Sequence, residues 1–390
     1  MKKLKSLLFY SAAAVFALTS CDEEKTETPT EKDRTLKGQI TSDKTLDNDG
    51  VWYLDGRVTV TGGATLTIEA GTVVKAYPGA GSLASALLIA KDGKIMANGT
   101  AAEPIIFTTI TDDIEPGQIK SPNMDAENNG LWGGVIILGD APISASKTSV
   151  AIEGIPTSDS KGLYGGSNTS HNAGVFTYVS IRHGGTNIGS GNEINGLTLG
   201  GVGKATTIEN VEIVANQDDG VEFFGGDAVV KNVLVWNNGD DALDTDQEFK
   251  GTIDGFIIVN PGDKAFELDG PEGAVTGGNH TIKNGTVYMG DGVGLIDFDD
   301  DTNVDMNSIY FFGLKEGQKV DGYSGYAAAS MGTVSNLEVT LDGLVMADIF
   351  GSLTAVVTVN AHANTVGPKD DADYAWTWAS QSGALAEIGL

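Results

Sequence analysis

The chain has one cysteine, Cys21, among 390 residues, so no internal disulfide can form. Histidine is nearly as scarce. His171, His183, His280 and His362 are scattered, and with a single cysteine they offer no zinc-ligand spacing. Basic residues are outnumbered, 24 lysines and arginines against 53 aspartates and glutamates, for a net charge of −29. That balance argues against nucleic acid or anionic lipid as partners, because both are held by basic patches. It favours solubility and divalent cations instead. Beyond residue 20 no apolar run is long enough to cross a bilayer as a helix. The Leu-Ala-Glu-Lys periodicity of amphipathic helices is lacking, and 53 glycines disfavour helix further. No P-loop, dinucleotide fingerprint or Gly-x-Ser-x-Gly nucleophile motif stands out.

What is present begins at the N-terminus. Lys2, Lys3 and Lys5 precede an apolar stretch over residues 7–17, the length of a signal-peptide core. It ends in Leu18-Thr19-Ser20-Cys21, which resembles the lipobox of bacterial lipoproteins. The resemblance implies cleavage after residue 20 and acylation of Cys21, and two or three acyl chains make a stable membrane anchor. Residues 21–36 carry almost no large apolar side chain and are expected to form a flexible tether. Asp22, Glu23 and Glu24 resemble the surface-export signal of Bacteroidota lipoproteins. That implies an outer-membrane location facing the cell exterior.

The rest of the chain repeats. Residues 208–213, 230–235, 253–258 and 282–287 align, with 306–311 a weaker fifth, at offsets of 22, 23, 29 and 24 residues. A second short segment follows each of the first four, at 220–223, 242–245, 265–268 and 294–297. Each alternates apolar with polar residues, as a strand with one inward face does, and glycine, asparagine and aspartate fill the bends. A period of twenty-odd residues built from short strands is the pattern of a stacked β-solenoid. Asn210, Asn232 and Asn284 recur at one position of the repeat, as an inward asparagine ladder or as separate turn residues.

These segments resemble the right-handed parallel β-helix, the pectin-lyase-like fold, with 63–75, 104–109, 131–139 and 176–181 as earlier coils. The expectation is therefore an all-β solenoid over residues 37–365. Intervals 110–130 and 140–174 are expected to project as loops. Residues 366–390 are expected to cap the open end, with Trp376 and Trp378 on one face of a strand.

Two chemical readings attach to the acidic bends. Asp218 and Asp219, then Asp240 and Asp241, lie 22 residues apart and so on adjacent coils. They resemble the general acid and base of polygalacturonases, since glycoside hydrolysis uses one protonated and one ionised carboxyl. The Gly-His-Gly segment of that family is replaced by Gly262-Asp263-Lys264, its Arg-Ile-Lys clamp is lacking, and a pectate-lyase arginine base is not evident. The other reading is calcium at Asp240, Asp241, Asp244 and Asp246, because stacked like charges repel. A second calcium candidate is Asp299, Asp301, Asn303 and Asp305, although Val304 and Tyr310 depart from an EF-hand loop.

A non-catalytic surface module is therefore favoured, binding a glycan, nutrient or partner protein beside a TonB-dependent transporter. A polysaccharide hydrolase or lyase and an adhesive spacer are the alternatives.

Overall fold

Short strands with a single apolar edge bury too little surface to fold alone, so neighbouring repeats must stack. The computed structural model, which describes residues 33–79, 81–188, 194–299, 301–329 and 332–390, shows that they do. Cys21, the signal segment and the tether up to residue 32 lie outside the described residues. The coil begins at strand Thr35–Ile40, two residues before the expected start.

In the regular part each turn has one long and one short strand. Thr207–Val214, Val229–Trp236, Thr252–Val259, His280–Tyr288 and Val304–Phe312 are the long ones. Val221–Phe224, Leu243–Asp246, Lys264–Leu268, Gly294–Phe298 and Val320–Asp321 are the short ones. Every strand pairs in parallel with its equivalent one turn on. Each long strand bends midway, so its halves lie in a first and a second sheet, and the short strands form a third. The bend falls on Asn210, Asn232, Gly255, Asn284 and Ser308, with φ between +54° and +83°. Pairing skips these positions: Glu209 faces Lys231, and the next pair is Val211 with Val233. Glycine and asparagine enter the left-handed region at least cost. The result is a right-handed parallel β-helix.

The asparagine column is thus a bend feature lying outside the core. Asn232 Nδ2 donates to Asn210 Oδ1 at 3.1 Å, but Asn284 reaches Asp254 instead because Gly255 interrupts the column. A second pair, Asn260 donating to Asn237 at 3.0 Å, occupies the following bend.

Inward side chains form one apolar core from Leu36 to Leu353. Phe256 fills the space beside Gly285, where a Cβ would lie 1.9 Å from its ring. The two long intervals lie down on the coil rather than projecting. Ile143, Ile152, Ile155 and Tyr164 pack on Leu138 and Phe224 outside the third sheet. Ala126 packs with Val214 and Trp378.

Residues 366–390 do not cap the end. They run as a strap along the outside of the second sheet, where Tyr374, Ala379 and Leu385 cover Leu234, Ile257 and Val259. The sheet's outward side chains there are apolar and need that cover. The expected tryptophan strand is instead a 3-10 turn, Ala372–Tyr374, and two short helices, Trp378–Ser382 and Ala384–Glu387. Thr377 caps the first helix by accepting from Ser380 N, and Gly383 at φ +89° ends it. At the last coils the core is extended by Tyr326, Ile349, Phe350 and Leu353, from or beside helices Tyr323–Ala329 and Met346–Phe350. No described helix is long and apolar enough to cross a membrane.

Candidate functional site: a stacked carboxylate face

In a parallel coil a residue type that recurs in register becomes a column with spacing of about 4.8 Å. On the outside of the third sheet that column is acidic. Glu222 pairs in register with Asp244, Asp244 with Glu267, Glu267 with Asp297, and Asp297 with Asp321. Along one flank run Asp246, Asp269 and Asp299, since Asp269 N donates to Thr245 O and Asp299 N to Leu268 O. Along the other run Asp218 and Asp219, Asp240 and Asp241, and Asp263. Two neighbouring unit charges at this spacing repel by about 3 kcal/mol at an effective dielectric of about 20. Lys264, 3.0 Å from Asp263 and 3.8 Å from Asp297, and Lys319, 2.6 Å from Asp321, are the ion-pairing cations described there.

The structure brings Asp218, Asp219, Asp240 and Asp241 together, and gives two of them structural duties. Asp219 Oδ1 accepts from Asp241 N at 3.0 Å, and Asp241 Oδ1 accepts from Lys264 N at 2.6 Å. Each carboxylate therefore caps the turn of the next coil. Asp244 and Asp246 sit in the neighbouring strand.

The second calcium candidate disperses. Asn303 turns its amide nitrogen to both oxygens of buried Glu248, at 3.1 and 3.0 Å. Asp305 accepts from Thr333 and Asn279. Asp299 joins the acidic face, and Asp301 Oδ1 stands against Gly270. Alternate spacing in sequence does not converge here because the chain does not wrap round one point: only Asp305 lies in the strand that begins at Val304, where side chains two residues apart stand about 6.6 Å from each other.

Sequence reading passed over Glu222, Glu267, Asp263, Asp269, Asp297 and Asp321. The deepest group is Asp219, Glu222 and Asp244, all buried, whose carboxylate oxygens lie within 4.8 Å of one another. Asn195 Nδ2 donates to Glu222 and, at 3.3 Å, to Glu153 on the overlying loop. Asp244 Oδ1 has no hydrogen-bond partner among the described residues. Two further sets converge at the same limit, Asp218 with Asp219 and Asp240, and Asp240 with Asp241 and Asp263.

Burial, and then the neighbouring negative charges, shift these groups. Asp219, Glu222 and Asp244 are pushed well above the ordinary carboxylate range. Burial, reinforced by Glu267, lifts Asp241 to about 9. Burial with Glu272 lifts Asp246 to about 7, and burial with Glu267 lifts Asp269 to about 6. Burial opposes the charged form of Lys264, but Asp263, Asp241 and Glu267 prevail and raise it. His183 and His280 are instead held near 4 by burial, so neither is an acid–base group at neutral pH.

All the convergent donors are hard oxygens. Calcium ligands lie about 2.3–2.6 Å from the ion, so oxygens up to roughly 5 Å apart can share one ion. Beside the deep group a cleft of about 750 Å³ opens under the loop, with Glu153, Glu222, Asp246 and Glu272 in its wall.

Three parallel sheets wound into one coil, with a carboxylate ladder on its outer surface, define a parallel β-helix protein of the pectin-lyase-like architecture. Residues 38–381 match the model of the pectate-lyase-like beta helix domain, and the chain belongs to that family. No curated protein and no solved structure matches the chain.

Proposed function

We propose that this chain is a lipid-anchored, cell-surface binding module whose acidic face takes up calcium and, through it, an oxygen-rich ligand such as a glycan. The carrying observation is the buried trio Asp219, Glu222 and Asp244, crowded within 4.8 Å with no lysine or arginine ion-paired to any of them among the described residues. A divalent ion relieves that repulsion and leaves coordination positions for ligand oxygens. An anionic polymer meets a repelling surface without such an ion. Calcium titration calorimetry tests this. Wild type should release or absorb heat, and the Glu222→Gln/Asp244→Asn pair should lower affinity by about tenfold or more. Titration without heat, together with a melting temperature indifferent to calcium and chelator, would sink the proposal.

Anchoring rests on the signal segment and Cys21. Cys21→Ala should abolish incorporation of labelled palmitate and release the protein from the membrane fraction. Unchanged labelling would refute it. A place beside a TonB-dependent transporter is the partner this setting suggests.

A second reading, glycan cleavage, is favoured by one feature: Asp241 holds a proton near neutral pH on the coil next to Asp218 and Asp219. Asp219 and Asp241 also cap backbone N–H groups, which fits a structural duty better. Release of reducing ends or unsaturated sugars, lost in Asp241→Asn, would turn the assignment to an enzyme.

A further inference from the structure

A second recess lies at the bend between the first and second sheets, away from the acidic face. Its floor is the bend column of successive coils: Asn232, Gly255, Asn284, Ser308 and Asn336. Its wall is the strap from Thr365 to Asp370, with Tyr374 behind it, and its volume is about 650 Å³. Five coils at about 4.8 Å make it roughly 20 Å long, parallel to the coil axis.

The floor is a row of amides only partly used. Asn232, Asn284 and Asn336 each spend one Nδ2 proton along the column, on Asn210, Asp254 and Ser308. A primary amide has a second proton and a carbonyl oxygen to offer. Gly255 leaves a notch in the row, where a Cβ would stand 2.7 Å from Asn232 Oδ1. Tyr374, 1 % exposed, completes the inner wall, and its hydroxyl has no hydrogen-bond partner among the described residues.

Charge in the recess comes close to cancelling, with two lysines against three aspartates in its lining, on a chain of net charge −29. Lys231 is 3.0 Å from Glu209, and Asp254 is 3.3 Å from Lys283. Lys369 stands with Asp370 and Asp373 in the wall. Such a surface selects neither a polyanion nor a polycation. An extended peptide added as a strand needs free backbone groups, and the coils on either side of the bend are already paired in register. What remains is a long, uncharged ligand dense in hydroxyl groups.

We propose that this groove binds a neutral oligosaccharide lying along the coil axis, independently of the carboxylate face. The probes are cellohexaose, xylohexaose, laminarihexaose and mannohexaose, measured by calorimetry on the full folded chain in EDTA. Chelator removes any contribution from a calcium site, so failure here and failure of the calcium proposal are distinguishable. At least one probe should bind at millimolar concentration or below. Asn284→Gly/Asn336→Gly keeps the left-handed backbone while removing both amides, and should weaken binding about tenfold or more. Tyr374→Phe removes only the hydroxyl and should weaken it severalfold, which keeps the test valid if the double variant is unstable. The proposal is overturned if no neutral hexasaccharide binds, if binding survives both variants, or if an anionic hexasaccharide or an extended peptide competes better.

Discussion

In EDTA the melting temperature should fall by several degrees as pH rises from about 4 to about 9, and millimolar calcium should flatten or reverse that fall. The cause is the elevated carboxyls of the third sheet. Asp246 titrates near 7 in the folded chain against 3.8 when unfolded, Asp269 near 6 and Asp241 near 9. Between the two values the folded state holds a proton that the unfolded state has lost, so stability declines with pH there. The contribution is complete below about 4 and is gone once pH passes the folded value. One unit corresponds to about 1.4 kcal/mol, so the window at Asp246 alone amounts to a few kcal/mol. Calcium at the proposed site would bind the ionised groups, and only in the folded state. At a hundredfold excess over its dissociation constant it adds about 2.7 kcal/mol per site. Thermal unfolding followed by circular dichroism across this range, with and without calcium, measures both effects. Superimposable curves with chelator and calcium would remove the cation site. A melting temperature flat with pH in chelator would show that the carboxyls ionise normally, and one that climbs would show that folding lowers their pKa values.

Glu212→Ala should cost about 3–5 kcal/mol and detach the strap from the coil. Glu212 is fully buried on the outer side of the second sheet. Its Oε1 accepts from Ala379 N at 2.9 Å, tying the strap down across the coil. Its other oxygen accepts from Ser180 Oγ at 2.5 Å and lies 3.7 Å from Arg182 Nη2. Arg182 is equally buried, donates from Nε to Ser180 at 2.8 Å, and sits 4.9 Å from the Trp378 ring. Alanine at position 212 leaves that guanidinium buried without its ion-pair partner, with only the more weakly acting Asp112 to offset its charge, which costs far more than the pair contributes when intact. The expected readouts are a lower denaturation midpoint, red-shifted tryptophan emission and early proteolysis within residues 366–390. Glu212→Leu/Arg182→Met should recover much of the loss, because apolar groups of similar volume replace a buried pair at little cost. A single variant within about 1 kcal/mol of wild type, with a protease-resistant strap, would show that this network does not hold the segment.

Much of the acidic site stood in plain sight in the chain. Glu222, Asp244, Glu267 and Asp297 fall inside the short segments whose alignment defined the repeat. Reading them as one column needed the observation that a strand residue facing out on one coil faces out on the next. The Asp-Asp pairs at the bends are the more conspicuous pattern along the chain, yet there Asp219 and Asp241 serve as caps for backbone N–H groups. The loop 299–305 shows the converse error. Its spacing suggested convergence, yet Asn303, before the strand, donates to Glu248, and Asp305, inside it, accepts from Thr333.

Sequence alone determined the parallel coil, its period, the turn residues at its bends and the acidic character of its surface. Those are local properties: alternation within a strand and left-handed backbone at a bend are written within a few neighbouring residues and repeated. Tertiary structure alone decided where the non-repeating parts lie. Ala379 meets Glu212, and Trp378 meets Arg182, across more than 160 positions with no period linking them. It also decided which carboxylates crowd one another. Charge repulsion depends on the separation of columns and on burial, and neither is encoded in the spacing along the chain.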